Sequence, residues 1–126
     1  LVEGNRIWAK NAPMLMLSLA DTVFRSNEKP NRWAQHDTGA ASENMFLQSV
    51  ALGLMLHQMG GFDATAIQKA FAIPERYTPM AMIAVGYQAV PEILDETLRQ
   101  KELAPRTRQP LEECFFEGSW GKTVHS

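Results

Sequence analysis

Two groups of residues in this chain have types and spacings suited to holding a ligand. Gly60 and Gly61 are adjacent, so no side chain stands in the way there and backbone N–H groups can approach a flat ligand closely. Arg106-Thr107-Arg108 sets two guanidiniums two residues apart. On an extended chain they face the same way, and their forks match the oxygens of a phosphate. Taken alone, each has a plainer reading: a Gly-Gly pair after a helix is a cap, and two nearby arginines are a solvated pair. Other chemistry finds less support. His36, His57 and His125 do not pair with Cys, Asp or Glu at zinc-ligand spacing. His36 beside Asp37 has the parts for acid–base work but reads better as a surface loop pair. His57 reads as a satisfied core or interface histidine, and His125, close to the end, is expected to be mobile. Cys114 has no base beside it. No Gly-x-Ser-x-Gly elbow, Gly-x-Gly-x-x-Gly fingerprint or Walker loop occurs. What remains is a site made of backbone and cations.

The elements that must position these groups follow from periodicity and punctuation. Residues 3–11 read as a short helix stopped by Pro13, and the apolar run 14–20 as a buried strand. Residues 21–37 read as a long loop anchored by Phe24 and Trp33, of the kind that forms lids or binding loops. The dominant expectation is a helix over 38–59, capped by Asp37 or Thr38 and ended by Gly60-Gly61. Apolar residues fall on nearly every face of it, as in a helix buried on all sides. At 1.5 Å per residue it would span about 30 Å, enough in a chain this short to need a second subunit as cover. Asp63 caps a helix over 64–72, and Pro74 and Pro79 bound a loop. Residues 80–85 form a second buried strand closed by Gly86. Pro91 opens a last helix over 92–103. Residues 114–116 are expected to add a short strand, and Phe115, Phe116 and Trp120 must be buried on the domain or on a partner.

Bulk properties exclude several classes. The chain has 126 residues, 45% hydrophobic and 21% charged, an ordinary balance for one globular domain. The net charge of -2, without a basic block, argues against nucleic acid and anionic membranes as partners. A single cysteine cannot form an internal disulfide and suits a reducing cytoplasm. No apolar run approaches the roughly 20 residues needed to cross a bilayer, and the start shows no signal peptide.

The order of features over 37–87 resembles a known family. It reads Asp-x-Gly-Ala-Ala-Ser-Glu-Asn, a long apolar helix, Gln58-Met59-Gly60-Gly61-Phe62, Ile73-Pro74, and a strand ending Val85-Gly86-Tyr87. That order is similar to the C-terminal part of the nitroreductase family of FMN-dependent oxidoreductases. The resemblance implies an α+β fold: a mixed sheet flanked by helices, with the long helix at the interface of an intertwined homodimer. It implies one domain over 1–126, without the family's N-terminal segment and its Arg-rich phosphate cluster. By position, the Gly60 N–H would donate to flavin N5, with Gln58, Met59 and Gly61 on the same edge. Arg106 and Arg108, before Pro110-Leu111-Glu112-Glu113, would contact the FMN phosphate. Asn5 would contact the flavin pyrimidine edge. The chain departs from some relatives in having Trp8 where they have a basic residue and Gly60 where they have glutamate; a backbone contact survives the second change. The activity implied is transfer of electrons from NAD(P)H through flavin N5 to a nitroaromatic, quinone or similar small acceptor. The alternative is a family relative acting as a non-catalytic flavin-binding or dimeric regulatory module.

Overall fold

The computed structural model describes residues 1–123; His125 lies outside them. The chain divides into two compact units, Leu1–Ala89 and the residues from Val90 onward. The first unit contains α1 (Glu3–Ala9), β1 (Met14–Asp21), α2 (Ala34–Ala51), β2 (Met55–Met59), α3 (Ala64–Ala70) and β3 (Tyr77–Gly86). The second contains a 3-10 turn (Pro91–Ile93), α4 (Glu96–Leu103) and α5 (Leu111–Cys114). Helices packed with a separate small sheet make the architecture α+β.

The helix expected over 38–59 is two elements. It starts earlier, at Ala34, and stops at Ala51. Gly53 takes a φ of 71°. Its N–H bonds to the Val50 carbonyl at 3.0 Å, and the Leu54 N–H reaches back to Ser49 at 2.8 Å. That pair of bonds is the Schellman termination, which needs a left-handed residue at the position Gly53 holds. The chain then leaves as β2, so Gly60-Gly61 follows a strand and not a helix. Asp37 and Thr38 lie inside α2 and do not cap it; the Thr38 hydroxyl donates to the Ala34 carbonyl at 2.7 Å. Asp63 does cap α3, accepting from the Ala66 N–H at 2.9 Å. The helix expected over 92–103 is the 3-10 turn followed by α4, capped by Asp95. The strand expected at 114–116 is absent: Cys114 ends α5, and Phe116 makes a single bridge to Thr123.

The sheet has the order β1-β3-β2, and both pairings are antiparallel, where a mixed sheet was expected. β3 is central and begins at Tyr77, so Pro79 sits within a strand and does not bound a loop. A central strand tolerates proline only at an irregularity, and the register shifts between Ser18 and Leu19, opposite Ala81 and Pro79. The Ser18 hydroxyl fills the gap. It accepts from the Ala81 N–H at 3.1 Å and donates to the Ala81 carbonyl at 3.2 Å.

Among the described residues the buried apolar set is small: Ala9, Ala20, Ala34, Met59, Ala81, Ile83 and Ala84. Most are alanines. α2 faces the sheet through small residues such as Ala34 and Ser42, leaving a groove of about 490 Å³ against β1 that Met16, Ser18, Asp21 and Met45 help to line.

One ion pair ties the end of β1 to the start of β3. Arg76 Nε and Nη2 meet the Asp21 carboxylate at 2.8 and 3.0 Å, and Nη2 also donates to the Val23 carbonyl at 3.1 Å. The Thr22 N–H and hydroxyl both bond to the Arg76 carbonyl, at 2.9 and 2.7 Å. The Arg76 hydrogen bonds hold the Asp21 carboxyl below its ordinary value, against the partial loss of water around it. A depressed folded-state pKa stabilises above the unfolded value of about 3.9, and that stabilisation disappears as pH falls through the lower folded value. Asp21→Asn is therefore expected to melt earlier than wild type at neutral pH, with the difference shrinking toward zero on strong acidification. A constant gap in melting temperature across that range would remove this ionic contribution.

Candidate functional site

The turn leaving β2 is the place where backbone is left open. Pleating puts Gln58 and Met59 on opposite faces of β2. Met59 points into the core, 2% exposed, against Ala9 and Ala84, with Leu1, Trp8, Ala12 and Met82 packed around them. Gln58 is exposed. The direction of the neighbouring N–H groups follows from the ladder. Ala81 turns its N–H and carbonyl toward β1, where Ser18 takes both. Backbone direction alternates along an antiparallel strand. On that alternation Met82 faces β2, opposite its register partner Met59. Gln58 and Gly60 then direct their N–H groups to the outer side of β2, an edge strand of this sheet.

The two glycines differ. Gly60 is exposed, and a Cβ built on it would meet nothing within 4 Å. A Cβ on Gly61 would lie 2.7 Å from Val2 Cγ2 and 2.9 Å from Asn5 Nδ2, distances that only glycine avoids. The Gly61 carbonyl accepts from the Val2 N–H at 2.8 Å and from Asn5 Nδ2 at 3.3 Å. The Gly60 carbonyl accepts from the Phe62 N–H at 3.1 Å, a one-residue turn of the kind common at strand ends.

Asn5, Gly60 and Gly61 thus come together, with Gln58 and Met59 adjoining along β2. Arg106 and Arg108 belong to the second unit, on the segment between α4 and α5, where both are exposed. Arg108 Nη1 donates to the carbonyl of Thr107 at 3.0 Å. His57 is on β2 and exposed, not inside a buried helix, and its ring lies edge-on to Trp8 at 4.8 Å. His36 and Asp37 meet at 3.2 Å in the first turn of α2, both well exposed. Val2 was missed by sequence reasoning, because a backbone contact to a residue so distant in the chain leaves no local signal. Chemically, an exposed glycine at this edge has no side chain of its own to screen its N–H, which suits an acceptor atom on the rim of a flat ligand.

The family model described as the nitroreductase family matches residues 1–87. An uncharacterized 15.4 kDa protein in the ask 5′ region of Mycolicibacterium smegmatis is 33% identical over 98% of this chain and 82% of its own length. A crystal structure of an oxidoreductase containing FMN is 32% identical with a TM-score of 0.89; the match covers 98% of this chain but spans 63% of that one. A nitroreductase family protein from Clostridium difficile 630 shares the fold, with 24% identity, a TM-score of 0.62, and coverage of 86% of this chain and 61% of its own. The extent of the family match, together with a relative one-third identical over nearly the whole chain, means that this chain belongs to the nitroreductase family.

Proposed function

We propose that the protein is an FMN-dependent oxidoreductase that takes electrons from NAD(P)H and passes them to a nitroaromatic, a quinone or a similar small acceptor. The observation that carries this reading is Gly60 itself, exposed just past the end of an edge strand with open space where a side chain would stand. It stands in a nitroreductase-family chain that is similar to an oxidoreductase containing FMN. Bound FMN supplies the hydride and electron chemistry itself. The chain's part is to bind and orient it. The Gly60 N–H would donate to flavin N5, with Gln58, Met59 and Gly61 along the same edge. A donor held in place before the ligand arrives needs no reorganisation during reaction. Asn5 lies beside the turn with its Nδ2 bonded to the Gly61 carbonyl, and its Oδ1 would contact the pyrimidine edge. Arg106 and Arg108 would supply charge-assisted bonds to the phosphate. We read residues 1–126 as a single nitroreductase-like domain working in a reducing cytoplasm, a setting that suits the exposed free thiol of Cys114.

A homodimer with FMN at the subunit interface fits the apolar surface. On and just after α2, Leu47, Val50 and Leu52 are each more than 60% exposed. Covering such a side chain fully is worth about 1.5–3 kcal/mol, and a second copy of α2 would provide the cover. Val50→Asp is expected to shift the protein from dimer to monomer by sedimentation velocity. A variant that stays dimeric at micromolar concentration would rule out α2 as the interface.

The visible spectrum of the purified protein, before and after NADPH, tests the activity. A flavin spectrum that bleaches is the expected result. A protein that stays colourless after FMN is added would favour a non-catalytic dimeric module. Arg106→Ala with Arg108→Ala is expected to weaken FMN binding by about tenfold or more, with the dimer intact. Unchanged affinity by fluorescence titration would remove both residues from the phosphate site.

A further inference from the structure

The first turn of α1 closes on the glycine pair with more contacts than packing requires. Both acceptor positions of the Gly61 carbonyl are used, one by the Val2 N–H at 2.8 Å and one by Asn5 Nδ2 at 3.3 Å. The Val2 carbonyl in turn accepts from the N–H groups of Asn5 and Arg6, both at 3.0 Å, so the start of α1 and the exit of β2 form one hydrogen-bonded unit. The Gly61 Cα is sealed by Val2 and Asn5. On its other side Gly60 adjoins Met59, which is buried and paired with Met82. Gly60 is therefore held from both flanks while itself remaining open.

We infer that Asn5 is a positioning residue: with Val2 it clamps the Gly61 carbonyl and so fixes the exit of the Gly60-Gly61 turn, beside the N–H that the ladder orients, before any ligand binds. The inference rests on the flavin reading for what the N–H receives, and on this chain's own contacts for the clamp. The clamp keeps the glycine pair, the most freely rotating dipeptide on the edge, in a single conformation, so the entropy of ordering it is not lost at the moment of binding. An Asn5 that only touched the flavin would leave the turn unchanged when substituted in the flavin-free protein.

Amide hydrogen exchange of the flavin-free protein separates the two. In Asn5→Ala the Val2 and Phe62 amides, which bond to Gly61 and Gly60, are expected to exchange about five- to tenfold faster, in line with the loss of one net hydrogen bond. The ladder amides of Met59 and Met82 are expected to hold their rates. Asn5→Asp keeps the shape but loses the donor, and is expected to behave like Asn5→Ala. Gly61→Ala pushes the Val2 and Asn5 side chains off the turn and is expected to show the same pattern. Unchanged Val2 and Phe62 exchange in Asn5→Ala would overturn the clamp. FMN titration and the midpoint potential of bound flavin then test positioning: weaker binding with a shifted potential supports it, whereas faster exchange with both values unchanged overturns it. Wild-type protein that takes up no FMN would sink the flavin reading, and exchange alone would still decide whether the clamp exists.

Discussion

The hydrogen-bond ladder on the two sides of β3 decides which way the residues of β1 and β2 face. β1 and β2 do not touch each other in the sheet; each is placed by its register against Tyr77–Gly86. In an antiparallel strand a slip of one residue exchanges the two faces. Here a slip at β2 would bring Gln58 into the core and expel Met59, and it would turn the Gly60 N–H inward to the ladder. The irregularity at Ser18 and Leu19 is part of the same arrangement. It lets Pro79 lie in the central strand, and the Ser18 hydroxyl satisfies Ala81 at that point. The open edge at Gly60 thus follows from a pairing pattern set on the far side of β3.

Polar contacts carry much of the organisation because the apolar core is thin. Its large members are Met59 and Ile83, and the rest are alanines. The bidentate Asp21–Arg76 pair and the two bonds from Thr22 to the Arg76 carbonyl hold the ends of β1 and β3 together. The Val2 and Asn5 bonds to Gly61 do the same for α1 and β2. Apolar side chains meanwhile lie outside, with Leu47, Val50 and Phe71 well exposed. With an ordinary hydrophobic fraction of 45% and so few large buried residues, much of the chain's apolar surface lies exposed among the described residues.

Some elements were plain in the sequence because their causes are local. The apolar runs that became β1 and the buried half of β3, and the Asp63 cap of α3, each depend on residues a few positions apart. α2 and β2 read as one helix because apolar residues recur from Met45 to Met59 with only the short polar pairs Gln48-Ser49 and His57-Gln58 between them. The stop signal is Gly53, whose left-handed φ its residue type alone does not reveal. The strand state of β2 was hidden for another reason: Met-Leu-His-Gln-Met has no β-branched residue, and it is extended because β3 pairs with it.

The candidate site divides in the same way. The two adjacent glycines and the Arg106 and Arg108 pair stood out as residue types, the run over 37–87 resembled the nitroreductase family, and Asn5 followed only from that resemblance. Residue type could not separate Gly60 from Gly61. Only the fold makes one open and the other sealed, because Val2 and Asn5 arrive from a helix more than fifty residues earlier. The amino-acid sequence by itself determined which groups are present, their order and the caps and apolar runs that start each element. Tertiary structure alone decided which N–H faces outward, which carbonyl is clamped and which carboxylate meets Arg76. Those are pairings between distant segments, and no periodicity within a single segment encodes them.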